Sequence, residues 1–159
     1  MSAIRIDRVS LLVDAPALAT LAAVEDTVVP LALTLGIAHE AWGDVAMLSV
    51  EDWLAGGALG APDPWLDPAD HLVAGLEARL VNGRTLVVRP APRRATGPDL
   101  VALVVGARGR FAALRRAWLR VHHAGEPLPR TAPFVHERNP PTNDGEERLL
   151  DAIERELYV

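Results

Sequence analysis

The apolar residues of this 159-residue chain form short runs that are separated by charged and turn-forming segments. The first run, residues 4–13, is nearly continuous and predicts a strand that is buried on both faces and ends at Asp14. After Pro16 the apolar residues follow helical spacing, and Pro30 predicts that this helix is bent or divided in two. Residues 44–48 form a second predicted strand.

Further helix and strand signals follow in the middle of the chain. Ser49 opens a Ser-Val-Glu-Asp segment that resembles a capping box, which predicts a short helix after it. Asp67 and Pro68 are typical of a helix start, and this helix is expected to cover residues 67–80. We expect strands over 85–88 and 100–105, then helices over 111–121 and 145–157. The helix over 111–121 would bury Trp118.

These elements together predict a single α/β domain that covers residues 1–159. Because strands and helices alternate, we expect a Rossmann-like mixed sheet, partly parallel, of four or five strands with helices on both faces. The chain has no cysteine, which excludes disulfides and thiolate metal ligands. No apolar run reaches the roughly 18 residues of a membrane span, and charges interrupt the first residues. A cytoplasmic protein without a signal peptide or a membrane anchor is therefore expected.

The charge is unevenly distributed along the chain. Residues 1–78 carry two arginines and twelve acids, whereas residues 79–130, the basic segment, carry eleven arginines and two acids. The arginines could neutralise acidic parts of this chain or of a partner subunit, or they could form a surface for phosphate. In the second case Arg108, Arg110, Arg115 and Arg116 should lie on one surface.

A glycine-containing turn is the strongest candidate for ligand binding. The segment PDLVALVVGARGRFAAL, residues 98–114, is predicted as a strand, a Gly-x-x-Gly turn and a helix. The backbone amides around Gly106 and Gly109 would then face an anion at the helix N-terminus, and Arg108 and Arg110 would add positive charge. A tight turn without any ligand is the alternative.

This turn is similar to the phosphate loop of the universal stress protein family. Residues 31–42 and 120–129 are similar to other stretches of that family in the same order, and Asp14 ends the first predicted strand. The resemblance implies non-catalytic binding of ATP or another nucleotide. Its ligand residues would be Asp14, Gly106, Arg108, Gly109 and Arg110, with Asp14 within one ligand's reach of the turn.

The carboxylates support a different interpretation. Asp14, Glu40 and Asp99 could converge on Mg²⁺ or Mn²⁺ for phosphodiester cleavage. The segment LLVDAPAL, residues 11–18, resembles the opening of PIN-domain and NYN-domain nucleases, and this resemblance implies an intact or degenerate RNase domain. Nucleic acid is not the favoured partner, because Phe111 and Trp118 are the only aromatic residues of the basic segment.

A third interpretation is an interaction module that binds no small molecule. Its acidic and basic segments would hold a protein partner or a second copy of the chain in a homodimer. The histidines lack the i,i+4 spacing of a helical metal site, and no Gly-x-Ser-x-Gly segment is present. The sequence therefore predicts neither a dedicated metal site nor a catalytic serine.

Overall fold

The computed structural model describes residues 3–62, 72–90 and 100–128, together with Ala152 and residues 155–156. The strands in this part of the chain are β1 (Arg5–Asp7), β2 (Leu12–Pro16), β3 (Leu33–Thr34), β4 (Val73–Leu80), β5 (Thr85–Val88), β6 (Ala112–Arg120) and β7 (His122–His123). Within residues 3–62, 72–90 and 100–128 the α-helices are α1 (Leu21–Val28), α2 (His39–Val45) and α3 (Val50–Ala55). Two 3₁₀ turns lie at Val29–Leu31 and Leu100–Leu103. None of these helices is long and apolar enough to cross a membrane.

The main sheet has five strands in the order β1-β2-β6-β4-β5, and every neighbouring pair is antiparallel. Strands β3 and β7 form a separate antiparallel pair. The combination of helices with a five-stranded sheet agrees with the prediction, but the partly parallel, Rossmann-like topology is wrong. Parallel neighbours need a crossover connection, whereas β1–β2 and β4–β5 are joined by short hairpin turns.

One face of the main sheet forms the hydrophobic core together with the helices. The buried residues on this face include Val13 and Ala15 of β2, Leu76 of β4, and Ala117 and Leu119 of β6. Helices α1 and α3 supply the opposing buried residues, which are Leu21, Val24, Val28, Val50, Trp53 and Leu54. Alternation along the strands places the intervening, more polar residues on the other face, called here the polar face.

Local signals at α1 and α3 act as the sequence predicts. The Ser49 hydroxyl accepts a hydrogen bond from the Asp52 amide at 3.0 Å and donates one to the Asp52 carboxylate at 2.7 Å. Helix α1 ends at Val28, and the chain continues through Pro30 as a 3₁₀ turn. The Thr20 hydroxyl also caps α1 by accepting a hydrogen bond from the Ala23 amide.

The predicted strand over residues 4–13 is a hairpin. Asp7 ends β1, and its carboxylate accepts hydrogen bonds from the Val9 and Ser10 amides, both at 3.0 Å. Leu11 has a φ of 52°, and β2 then runs back along β1. Asp14 therefore lies in the middle of β2, not at the end of a central parallel strand.

Four further predicted elements adopt a different secondary structure. Residues 44–45 end helix α2 and residues 46–48 follow it, whereas residues 100–105 begin with a 3₁₀ turn. The C-terminal part of the predicted helix over 67–80 is strand β4, and the predicted helix over 111–121 is mostly strand β6. The Thr85–Val88 strand is confirmed. The predicted helix over 145–157 lies mainly outside the described residues.

A register shift explains why β6 resembles a helix in the sequence. Strand β6 pairs with β4, and between Glu77 and Ala78 the pairing skips Arg115. This β-bulge changes the period of burial, so that Leu114 and Ala117 both face the core although they are three residues apart. Spacing by three residues is also the mark of a helix face, so the sequence pattern fits both structures.

Candidate functional site

Antiparallel pairing arranges the polar face in rows of side chains. Because directly paired residues project to the same side, Arg5, Asp14 and Trp118 form one row across β1, β2 and β6. The next row contains Asp7 and Arg120, with Leu12 between them. Neighbouring strands are about 4.8 Å apart and successive rows about 7 Å apart. Charged, apolar and aromatic groups are thus close together on one surface.

These two rows form the floor of a cleft with a volume of about 530 Å³. Among the described residues, its charged lining consists of Arg5 and Arg120 with Asp7 and Asp14. The other described lining residues are Ile6, Ser10, Leu12, Ala74, Pro90 and Trp118. The volume lies within the range of small-molecule sites, which have apolar walls and a few polar groups that orient the ligand.

Asp14, in the floor of the cleft, forms an ion pair with Arg116. Its Oδ1 lies 3.2 Å from Nε of Arg116, and the two side chains are only 15% and 23% exposed. The same Oδ1 is buried and accepts no hydrogen bond from the described part of the protein. The Arg116 guanidinium also lies 5.9 Å from the centre of the Trp118 ring, which is a cation–π distance. Arg116 therefore links the acid to the aromatic ring.

The wall of the cleft beside Trp118 depends on a glycine. Gly75 pairs with Trp118 on the polar face, and the chain after β5 passes closely over it. A Cβ at Gly75 would lie 2.5 Å from the Val88 carbonyl oxygen and 2.7 Å from the Pro90 nitrogen. Only a residue without a side chain allows Pro90 to approach the sheet this closely.

The β1–β2 hairpin turn forms the opposite side of the cleft. Hydrogen bonds from the Ser10 hydroxyl and amide, and from the Val9 amide, lower the pKa of Asp7 below its ordinary value. These donors stabilise the charged carboxylate more than the neutral acid. Asp7 therefore stays ionised near neutral pH while it holds the turn that carries Ser10.

The Gly106–Gly109 turn lies elsewhere in the molecule. The Gly106 amide donates to the Leu54 carbonyl at 2.9 Å and the Arg108 amide to the Ala55 carbonyl at 3.1 Å, so the turn is bound to the end of α3. The Arg110 amide donates to the Ala107 carbonyl. Because these amides donate within the protein, an anion at the turn would depend on the side chains of Arg108 and Arg110. Phosphate binding there stays a prediction.

Asp14 and this turn do not share one site. The turn precedes β6 and contacts α3 on the core side, whereas Asp14 pairs with Trp118 on the polar face. Trp118 lies six residues beyond the start of β6, which corresponds to about 20 Å along a strand. The expectation that Asp14 lies within one ligand's reach of Gly106 and Gly109 is therefore wrong. That expectation assumed that Asp14 and the turn each follow the end of a parallel strand at the same edge of the sheet.

The four arginines expected on one surface occupy different settings. The β-bulge places Arg115 and Arg116 next to Glu77, and Nη1 of Arg115 lies 3.6 Å from the Glu77 carboxylate. Arg108 lies in the turn bound to α3, and the Arg110 guanidinium lies 5.5 Å from the centre of the Phe111 ring. Arg116 forms an ion pair with a cleft residue, Asp14.

The three-carboxylate arrangement of the nuclease interpretation is only partly described. Asp14 lies in β2, and Glu40 is an exposed residue in the first turn of α2. Asp99 lies outside the described residues. No group of three histidine, aspartate or glutamate side chains within 3–62, 72–90 and 100–128 could hold a metal ion.

Sequence reasoning missed most of the residues that line the cleft. Trp118 was expected in the core, but in the structure it is partly exposed on the polar face, whereas Phe111 and Leu114 are buried. A signal for the cleft is present in the chain, because alternation along a strand puts Arg116, Trp118 and Arg120 on one face. This signal is visible only if residues 112–120 are interpreted as a strand.

Comparison with known proteins shows similarity at the level of the fold. No protein-family model and no curated protein matches the chain. Among solved structures, it is similar to alkyldihydroxyacetonephosphate synthase in two crystal forms, with TM-scores of 0.59 and 0.57 and 16% sequence identity in both cases. The similarity covers 75% of this chain but only 20% and 21% of the two synthase chains. The chain thus spans about a fifth of the length of the structures that it matches.

Proposed function

We propose that this chain binds a phosphate-bearing small molecule of the nucleotide class, and that the ligand lies in the cleft on the polar face. The observation that carries the proposal is the convergence of Trp118 with Arg5 and Arg120 in one cleft of about 530 Å³. This keeps the nucleotide-binding function that the resemblance to universal stress proteins implies. It moves the ligand from the Gly106–Gly109 turn to the sheet.

Trp118 supports the binding of a planar ring. Its indole is partly exposed in the cleft, while Arg116 lies over the ring at 5.9 Å. Stacking of a nucleobase on an aromatic side chain contributes about 1–3 kcal/mol and tolerates different bases. The apolar residues Leu12, Ala74 and Pro90 surround the same space.

The arginines support the binding of a phosphate group. Arg5 projects from β1 and Arg120 from β6, on either side of strand β2, which carries Asp14. A guanidinium group binds phosphate oxygens through two parallel hydrogen bonds, which fixes both distance and direction. The similarity to the synthase structures shows the fold alone, so the proposal depends on these side chains.

Calorimetric titration of the purified chain with AMP tests the proposal. We expect saturable binding that weakens at least fivefold in Arg5→Gln and in Trp118→Leu. Arg84→Gln is the matched control, because Arg84 is an exposed arginine in the β4–β5 turn and does not line the cleft. Absence of binding of both AMP and cyclic AMP at millimolar concentration, or equal weakening in the Arg84→Gln control, would contradict the proposal.

A further inference from the structure

Building on the proposed function, we infer that Asp14 sets the charge class of the ligand and makes the cleft select phosphate compounds with a single negative charge over multiply charged ones. Phosphodiesters and cyclic nucleotides belong to the first class, and nucleoside triphosphates belong to the second.

Asp14 lies among the groups that would bind the ligand. Its carboxylate lies in the floor of the cleft, in the same row as Arg5 and Trp118, and its side chain is 15% exposed. An anion that approaches Arg5 or Trp118 must therefore come close to Asp14. Arg116 offsets part of the Asp14 charge, and at this degree of burial solvent weakly screens the repulsion that remains.

Asp7 also repels additional negative charge on the ligand, in the row that contains Leu12 and Arg120. It faces the cleft next to Leu12 and opposite Arg120, and its lowered pKa keeps it charged near neutral pH. Arg5 thus lies beside Asp14 in one row, and Leu12 separates Arg120 from Asp7 in the next. Among the described lining residues, one phosphate charge can be bound between Arg5 and Arg120, whereas additional charges approach Asp7 or Asp14.

The Arg116 ion pair keeps Asp14 in place. Nε of Arg116, 3.2 Å away, holds the Asp14 carboxylate against the β2–β6 ladder. Its Oδ1 accepts no hydrogen bond from the described residues, so an amide in the same position loses the ion pair but no hydrogen bond to that atom. Asp14→Asn is consequently a substitution that changes the charge and preserves the shape.

The test compares cyclic AMP, AMP and ATP, which share the adenine ring and differ in charge, by calorimetric titration. We expect the wild-type chain to bind cyclic AMP at least tenfold more tightly than ATP. In Asp14→Asn this ratio should fall about tenfold, since removing one like charge at short range is worth about that factor. Asp44→Asn is the control, because Asp44 is exposed on α2 and does not line the cleft.

The outcomes separate this inference from the proposed function. ATP binding to the wild type as tightly as cyclic AMP, or an unchanged ratio in a folded Asp14→Asn variant, overturns the role of Asp14 and leaves nucleotide binding in place. Binding of none of the three compounds overturns both. If Asp14 had a purely structural role, Asp14→Asn would weaken the binding of all three nucleotides by the same factor, and this result also overturns the inference. The comparison of ligands on the wild type needs no variant, so it stands even if Asp14→Asn does not fold.

Discussion

Replacement of Gly75 by alanine should destabilise the protein, although most glycines in strands can be replaced with a gain in stability. Gly75 lies within β4, and its φ is not in the left-handed region, so the backbone conformation permits alanine. Removal of glycine's extra freedom in the unfolded chain would by itself stabilise the fold by about 0.4–1 kcal/mol. The sign of the effect therefore depends on the space around the new methyl group.

That space is occupied by backbone. The added Cβ would meet the Val88 carbonyl oxygen at 2.5 Å, the Pro90 nitrogen at 2.7 Å and Pro90 Cδ at 3.0 Å. No flexible side chain can move aside, so the chain at Val88–Pro90 must shift away from the sheet. Overpacking of this kind costs about 1–3 kcal/mol. After subtraction of the entropic gain, we expect a net loss of about 1–2 kcal/mol.

Thermal unfolding, followed by circular dichroism, measures this difference. For a chain of this size, a loss of 1 kcal/mol lowers the Tm by roughly 2–4 °C, so Gly75→Ala should lower it by about 2–8 °C. Gly43→Ala is the matched control: Gly43 lies in α2, and a Cβ there would have no heavy atom within 4 Å. The control should gain about 0.5–1 kcal/mol through helix propensity. A Gly75→Ala variant as stable as the wild type would refute the close approach of Pro90.

Two further predictions concern the core and the hairpin. Trp53 is 1% exposed and its Nε1 donates to the Leu59 carbonyl at 2.9 Å. Trp53→Ala should therefore lower the free energy of unfolding, measured in urea, by about 3–5 kcal/mol, and Trp53→Phe should lower it clearly less. Equal losses in both variants would contradict a packing role. Asp7 has a lowered pKa in the folded chain, so its contribution to stability is present above the unfolded pKa of about 3.9 and is lost as the pH falls through the lower folded value. The difference in the free energy of unfolding between the wild type and Asp7→Asn should therefore shrink in acid. A difference that stays constant from neutral pH to the end of the acid titration would show that the carboxylate charge does not hold the turn.

The sequence predicted local features where a side chain acts on its own neighbourhood. The Ser49 cap of α3, the break of the helix before Pro30, and the Thr85–Val88 strand all follow from residues within a few positions of each other. Prediction from the sequence failed where the same spacing of apolar residues fits both a helix and a strand. The apolar spacing of residues 111–121 suits a helix in isolation, and so does that of the C-terminal part of 67–80.

The candidate site shows the same division. Asp14 was singled out from the sequence and lies in the cleft, but for a different reason from the one expected, since it is in the middle of β2. The Gly106–Gly109 turn was predicted to bind phosphate through its amides, yet the Gly106 and Arg108 amides donate to the end of α3. Neither the partner of an amide nor the edge at which a strand ends can be inferred from neighbouring residues.

The composition, the absence of cysteine, the basic segment and the local caps and breaks follow directly from the chain, because they depend on residue identity and short-range hydrogen bonds. The central strand over residues 112–120 depends on long-range pairing, since β6 gains its hydrogen bonds from β2 and β4, which lie far away in the chain. This pairing also brings Arg5, Asp14 and Trp118 into one row. A helix makes its backbone hydrogen bonds within itself, whereas a strand depends on distant parts of the chain for them, so neighbouring residues alone cannot specify a strand.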